Sequence, residues 1–370
     1  MARPVVITGG GTGGHVFPMQ AIAESLSERG LSASELRYVG SRRGQERNLL
    51  VGEVALTLLP GRGLRRSWRM GDLVANIGAV IGLVQAILIA QWLVRRWRPS
   101  VVVSVGGYAS FAVALAAVSW RVPLVLVDFD AVPGASHRLL RRFATARCTA
   151  FASSGTNTVV TGAPLRAAIE SLDRSPSARR EAKERLSPPI DAERDVVVVM
   201  TGSLGSRRVN AAVRDLARAW SSRSDRALVH VTGRRDYEEF ASTKPSVESL
   251  DYRVVDFGDM VELWSVCDVA ICRAGAITVA ELTTLAVPSV LVPLPGAPSD
   301  HQTKNARVLA DAGGAIVLSD AQCTGEELAR ALEIMMAPST LEEMSHAVHT
   351  LAHPHAADAI AEVVLESRVS

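Results

Sequence analysis

A short apolar run that stops abruptly in glycine occurs twice in this chain, and it restricts the possible folds more than any other feature. Val5–Thr8 leads into Gly9-Gly10-Gly11-Thr12-Gly13-Gly14-His15, where five of six successive positions, Gly9 to Gly14, are glycine. Val196–Met200 leads into Thr201-Gly202-Ser203-Leu204-Gly205. A continuous apolar run bounded by glycine suits a strand buried on both faces, as in a parallel sheet covered by helices. Glycine then lets the chain turn tightly and lets a ligand approach the backbone.

The patterns downstream of each run agree with a parallel sheet. A helical pattern from about Pro18 to Arg29 comes after the first, then strand patterns at Leu36–Val39, Ala55–Leu59, Val101–Val105 and Leu124–Val127. After the second, Leu228–Val231, Tyr252–Val255, Val269–Cys272 and Ser289–Pro293 recur at parallel-sheet spacing. The expected class is α/β, with two Rossmann-like domains in series. The boundary falls near Ala163-Pro164, before a polar stretch, Arg174–Arg194, that contains Pro176, Pro188 and Pro189. Residues 1–163 form the first expected domain and 164–345 the second. Residues 346–370 are expected as a terminal helix packing back on the first.

A length of 370 residues agrees with two cores. The net charge of +2 argues against a nucleic-acid protein driven by bulk charge. Cys148, Cys267, Cys272 and Cys323 lack metal-ligand spacing and read as buried free thiols of a reducing compartment. The first residues pass straight into a strand with no secretory pattern. Leu73–Val94 is long and apolar enough to span a bilayer, but it lies inside the βαβ series and carries Asn76, Gln85 and Gln91. A helix packed on the sheet is the expectation.

The glycine loops point to phosphate. A helix N-terminus behind such a loop offers free N–H groups and a positive partial charge. Gly9, Gly11 and Gly14 satisfy the dinucleotide spacing, but Leu36-Arg37-Tyr38-Val39-Gly40-Ser41 lacks the acid that would hold a ribose at the end of the second strand. No G-x-x-x-x-G-K-[ST] sequence is present, which excludes a P-loop kinase. A further loop, Ser104-Val105-Gly106-Gly107-Tyr108-Ala109-Ser110, also comes after a strand. Loops of this kind at strand C-ends fit a substrate carrying phosphates.

An ordered set of segments then resembles the MurG family of GT-B glycosyltransferases across nearly the whole chain. The family's opening GGTGGHxxP is Gly10 to Pro18, and its GTxxGxE is Gly40-Ser41-Arg42-Arg43-Gly44-Gln45-Glu46. Its basic segment is Gly61-Arg62-Gly63-Leu64-Arg65, its GGYxS loop Gly106 to Ser110, and its HxTGxxD segment His230 to Asp236. The donor signature is Cys272 to Glu281, and after it comes His301-Gln302-Thr303-Lys304-Asn305-Ala306. The resemblance implies a GT-B fold, two facing Rossmann-like domains with an interdomain cleft. It also implies inverting transfer of N-acetylglucosamine from UDP-GlcNAc to an undecaprenyl-diphosphate-linked muramoyl-peptide. Such an enzyme would sit peripherally on the cytoplasmic face of the bacterial plasma membrane.

The resemblance also implies roles for single residues. Glu281 would bind the ribose hydroxyls of UDP; the plainer alternative is an exposed helix acid. Ser203 and its loop would hold the diphosphate, and Arg166 would neutralise the leaving UDP. Phe257 stands where backbone atoms read uracil, and His301 and Gln302 would meet the donor sugar. Thr12, Gly13, Gly14, Asp130 and Ala276 are further donor positions. Gly13, Gly14, His15, Gly106, Gly107 and Tyr108 are acceptor positions. His15 and Asp128 are the catalytic candidates. An imidazole suits deprotonation of a sugar hydroxyl, although a histidine there can equally order the loop. The family's His-Glu-Gln-Asn is Val127-Asp128-Phe129-Asp130 here, its loop glutamine is Leu204, and its asparagine before the proline is Ala163. No D-x-D metal site stands outside that altered segment. No cofactor is implied, and a divalent ion is compatible but not required. Arg62, Arg65, Arg66 and Arg69 surround Leu64 and Trp68, a pattern for docking on an anionic membrane surface or for an ordinary solvated loop. Two rivals remain: a GT-B enzyme for another lipid or small molecule, an epimerase included, and a UDP-binding homologue without catalysis.

Overall fold

A computed structural model describes residues 3–10, 13–42, 54–61, 70–153, 155–202 and 204–369, with the main chain alone for 13 and 70–77. The chain divides into two compact units, Met1–Arg166 with His353–Ser370, and Ala167–Ala352.

The first unit holds a seven-stranded sheet in the order β3-β2-β1-β4-β5-β6-β7. Its strands are β1 (Val5–Thr8), β2 (Leu36–Ser41), β3 (Ala55–Leu59), β4 (Val101–Ser104), β5 (Leu124–Asp128), β6 (Ala146–Thr149) and β7 (Thr158–Val160). Every pairing is parallel. The four residues of β1 and of β4 are all buried, which explains why all but the last of each are aliphatic. β6 and β7 have no counterpart in the apolar pattern, because they are short and β6 carries Arg147 near its centre. The order reverses between β1 and β4, where an open α/β sheet binds its ligand.

Helix Met70–Trp97 accounts for the bilayer-length segment. Ala86, Ala90, Leu93 and Val94 pack into a core with helix Tyr108–Ser119. The packed helix expected from the sequence is therefore present on one face only. On the other, Val80, Ile81, Val84, Leu88 and Trp92 are exposed, Leu88 at 64% and Trp92 at 59%. Helix Ala356–Glu366 lies on the first helix, Gly13–Glu28. Ser25 Oγ and Arg29 Nη1 donate to Asp358 Oδ1 at 2.6 and 2.7 Å. These bonds, that of Ser25 foremost, hold the Asp358 carboxyl below the usual range. A Cβ at Gly162 would strike His353 Cβ at 2.4 Å, so the chain is tightly seated where it re-enters this unit.

The second unit holds a six-stranded sheet in the order β10-β9-β8-β11-β12-β13, again all parallel. The strands are β8 (Asp195–Met200), β9 (Arg226–Val231), β10 (Asp251–Val255), β11 (Val269–Cys272), β12 (Ser289–Leu291) and β13 (Ala315–Val317). Its switch point lies between β8 and β11. One face of the sheet packs on helices Arg207–Ala219 and Gly325–Met335 through Val197, Val199, Val213, Leu216, Leu328 and Leu332. All four cysteines are buried and unpaired, and burial raises the Cys148 and Cys267 thiols to about 12.

Candidate active site

In the second unit the crevice is built from loops at the C-terminal ends of the strands. Thr201–Ser206 comes after β8, with Gly202 and Gly205 at φ 94° and 78°. Gly205 N donates to Gly202 O at 3.0 Å, closing the turn. Ser206 caps helix Arg207–Ala219, accepting from Val209 N. A Cβ on Gly205 would lie 1.9 Å from Thr232 O, and one on Gly233 2.2 Å from Gly205 N. Only glycine permits these two loops to cross, and the crossing stands beside one helix N-terminus, a place that suits an anion.

Arg273, at the end of β11, locks the crevice. Its Nη1 donates to Val292 O and Pro293 O at 3.0 and 3.1 Å; its Nη2 donates to Ser206 Oγ at 2.7 Å and Asp320 Oδ1 at 2.8 Å. With those groups occupied, Arg273 ties together the loops after β8, β11, β12 and β13. Glu281, on helix Ala276–Thr284, is 7% exposed and accepts from Trp264 Nε1 at 3.2 Å. It is thus not the exposed helix acid of the plainer reading. The indole fixes one carboxylate oxygen in place. Ala276 opens the same helix after Gly275. His301 opens helix His301–Asp311, its Nδ1 2.9 Å from Pro298 O. Gln302 Oε1 accepts from Leu294 N at 2.9 Å. The buried Asn305 donates to Ala274 O at 3.1 Å, which joins that helix to the donor segment. Phe257 is exposed, with the Arg234 guanidinium 5.0 Å from its ring centre.

A buried polar chain supports the β8 loop from behind. His230 Nδ1 meets Tyr252 Oη and its Nε2 meets Asn210 Oδ1, each at 3.0 Å; Asn210 Nδ2 donates to Thr232 O at 3.0 Å. Burial lowers the His230 pKa to about 3, so the ring is neutral. Arg235 donates to Asp236 at 2.7 Å and, more than any other group, keeps that carboxyl below its ordinary range. A separate cavity of about 700 Å³ lies at the opposite ends of these strands, walled by Asp195, Asp268 and Pro288. Its Asp268 is already paired with Arg179 and Lys183, and it is remote from the glycine loops.

In the first unit the loops after β1 and β4 cross in the same manner. Gly107, at φ 88°, would place a Cβ 2.4 Å from Gly10 O. A cavity of about 70 Å³ opens beside the crossing, lined by His15, Gly106, Gly107, Asp128, Asp130 and His137 among others. The structure thus brings together five of the residues singled out from the sequence, and adds His137. His137 Nδ1 is 2.7 Å from Asp128 Oδ1 and its Nε2 2.8 Å from Ser104 Oγ. Arg147 Nη2 lies 3.6 Å from Asp128 Oδ2. Asp128 is therefore a buried, partnered acid. Tyr108 directs its hydroxyl away from that group, against Gly61 and Gly82, where burial raises its pKa. Arg166 stacks on Phe17, with its guanidinium 4.9 Å from the ring centre. Gly13 and Gly14 begin the first helix. Thr12, Ser203, Arg43 to Glu46 and the basic segment with Leu64, Trp68 and Arg62, Arg65, Arg66 and Arg69 lie outside the described residues. Among the described residues no three His, Cys, Asp or Glu side chains are placed to hold a metal ion.

Sequence reasoning missed Trp264, Asp320, His137 and the locking role of Arg273. Arg273 was signalled by its place in the donor signature. The others lie far in sequence from the groups they hold.

Residues 5–149 match the Glycosyltransferase family 28 N-terminal domain, and residues 196–360 match the family's C-terminal domain. The chain is 36% identical to the UDP-N-acetylglucosamine--N-acetylmuramyl-(pentapeptide) pyrophosphoryl-undecaprenol N-acetylglucosamine transferase of Anaeromyxobacter dehalogenans, over 98% of this chain and 92% of that one. The chain belongs to glycosyltransferase family 28, the MurG family. A second member, the enzyme of the same name from Desulforudis audaxviator, is 34% identical over 97% of both chains. The crystal structure of Acinetobacter baumannii MurG matches with a TM-score of 0.77 and 26% identity, over 99% of this chain and 100% of that one. The fold is GT-B, as the resemblance implied, and the chain is a glycosyltransferase. Within the family fold, the second unit's crevice carries the donor signature and the first unit's crevice carries His15.

Proposed function

We propose that this glycosyltransferase moves N-acetylglucosamine from UDP-N-acetylglucosamine to an undecaprenyl-diphosphate-linked muramoyl-pentapeptide, with inversion. The observation that carries this reading is full-length likeness, at 34 and 36% identity, to relatives whose names state that reaction. The chemistry of the crevices supports it. Glu281, steadied by Trp264, offers a carboxylate to the ribose hydroxyls. The loop before helix Arg207–Ala219 offers N–H groups to the diphosphate as negative charge grows on the departing UDP. An acceptor hydroxyl attacks the anomeric carbon; the new C–O bond forms as the bond to the UDP oxygen breaks, and the hydroxyl proton passes to a base. His15, which lines the first unit's cavity, is assigned that base. The remaining roles given to Thr12, Gly13, Gly14, Asp130, Arg166, Ser203, Phe257, His301 and Gln302 stand as part of this proposal. The test is incubation with radiolabelled UDP-N-acetylglucosamine and the lipid-linked muramoyl-pentapeptide. Labelled lipid supports the reading; UDP binding with no labelled product on that acceptor overturns it.

A lipid-linked acceptor requires contact with a bilayer surface, and we assign that contact to helix Met70–Trp97. Its exposed Val80, Ile81, Val84, Leu88 and Trp92 recur at helical spacing and form one apolar stripe. Arg95 and Arg96 stand at its end, their guanidinium groups over Trp120 and Trp92 at 5.4 and 5.5 Å. An apolar stripe with arginines beside tryptophan suits an anionic interface. The enzyme should float with anionic phospholipid vesicles. Leu88→Glu with Trp92→Glu should abolish flotation while leaving UDP affinity unchanged; unaltered flotation rejects this surface.

A further inference from the structure

Ser104, His137 and Asp128 stand in the order hydroxyl, imidazole, carboxylate, with contacts of 2.8 and 2.7 Å. The arrangement resembles a hydrolytic triad, but Ser104 is fully buried in β4 and does not line the cavity. Its hydroxyl has no route to a substrate, so the array does not supply a nucleophile. It holds the cavity wall. Both nitrogens of His137 are engaged, and a ring fixed at both ends cannot rotate. Through it β4, β5 and helix Ala135–Leu140 are tied together, and Arg147 extends the tie to β6.

Gly106 stands between the two imidazoles. A Cβ built on it would lie 3.5 Å from His15 Nε2 and 3.9 Å from His137 Cε1. We propose that His137, clamped by Asp128 and Ser104, is a positioning residue that fixes the Gly106-Gly107 turn against His15. The turnover part of this proposal rests on the transfer reaction proposed above; the structural part does not. Small displacements of a catalytic group cost large factors in rate, so a clamp within the cavity wall beside His15 acts on kcat more than on donor affinity.

The test measures hydrogen–deuterium exchange of peptides spanning Val105–Tyr108, together with turnover on UDP-N-acetylglucosamine and the lipid acceptor. His137→Ala should speed exchange in that turn about tenfold, the scale of one lost hydrogen bond. It should lower kcat about thirtyfold with the KM for the donor within about twofold. His137→Asn, whose amide reaches the Nδ1 position, should restore protection and most of kcat; Ser104→Ala should fall between. Wild-type exchange in His137→Ala, or an Asn variant no better than Ala at equal melting temperature, overturns the proposal. Should the Ala variant not fold, His137→Asn against His137→Gln decides, since the Gln amide reaches only Ser104: equal exchange in the two overturns it. Absence of transfer by the wild type rejects the reaction, and the exchange comparison still decides the clamp.

Discussion

In both units two glycine loops cross at the C-terminal ends of a parallel sheet: Gly10 with Gly107 at the switch point of the first, and Gly205 with Gly233, after β8 and β9, beside the switch point of the second. The side chains around the crossings differ. In the second unit an arginine is locked into four loops, a buried neutral histidine braces the turn, and a helix N-terminus faces the opening. In the first, imidazoles and carboxylates line a cavity of about 70 Å³, far below the several hundred usual for a small-molecule pocket. The same backbone device thus serves two purposes. One crevice gathers an arginine and a helix N-terminus, groups suited to a negative charge; the other gathers imidazoles and carboxylates, groups suited to proton exchange. Side chains, not the glycine frame, divide the labour.

The strongest way to break this comparison is to spoil each crossing separately. Gly205→Ala should abolish UDP binding, and Gly107→Ala should leave UDP binding intact while transfer falls by about a thousandfold or more. Each places a Cβ at positive φ into a carbonyl oxygen. Titration calorimetry with UDP beside the transfer assay separates the two; loss of UDP affinity in the Gly107 variant would dissolve the division. Glu281→Ala should cost about a hundredfold in kcat/KM for the donor, the scale of lost hydrogen bonds to a carboxylate, and should remove stabilisation of the fold by UDP against heat. Equal stabilisation by NAD in the wild type would count against a uridine site.

Smaller effects sharpen it. Arg273→Met removes a largely buried cation from Ser206 and Asp320 and should destabilise the second unit by about 3 kcal/mol, read from urea denaturation. The last test is pH. His230 has a folded pKa of about 3 against an ordinary 6.5, so the unfolded chain takes up the proton first. Its contribution is intact above pH 6.5 and is lost as pH falls toward 3. Between about pH 6.5 and 4.5 the second unit should lose roughly 2 kcal/mol that a His230→Gln variant, already weaker, does not lose.

Much of this was legible in the sequence where the cause is local. Apolar runs such as Val5–Thr8 and Val196–Met200 are continuous because both sheet faces are covered, and their glycines mark the switch points. β13 was illegible, since Ala315–Val317 is too short to show a pattern. So was β7, whose residues Thr158–Val160 are largely exposed at a sheet edge. The site divides in the same way. Glu281 and His15 stand in recognisable segments. The Trp264–Glu281 bond spans 17 residues and the Ser104–His137 contact 33, and only the folded sheet brings such pairs together. The exposed stripe on helix Met70–Trp97 was half legible: its composition announced an apolar helix but not which residues would remain uncovered.

The return of His353–Ser370 to the first unit sets an order of assembly during synthesis. The first helix is made early, but its partner carrying Asp358 leaves the ribosome after the whole of Ala167–Ala352. The second unit can close on itself while the first still waits for its last helix. The first unit, to which we assign the acceptor, is therefore completed last, and a nascent chain can close the unit proposed to hold the nucleotide before the other is whole.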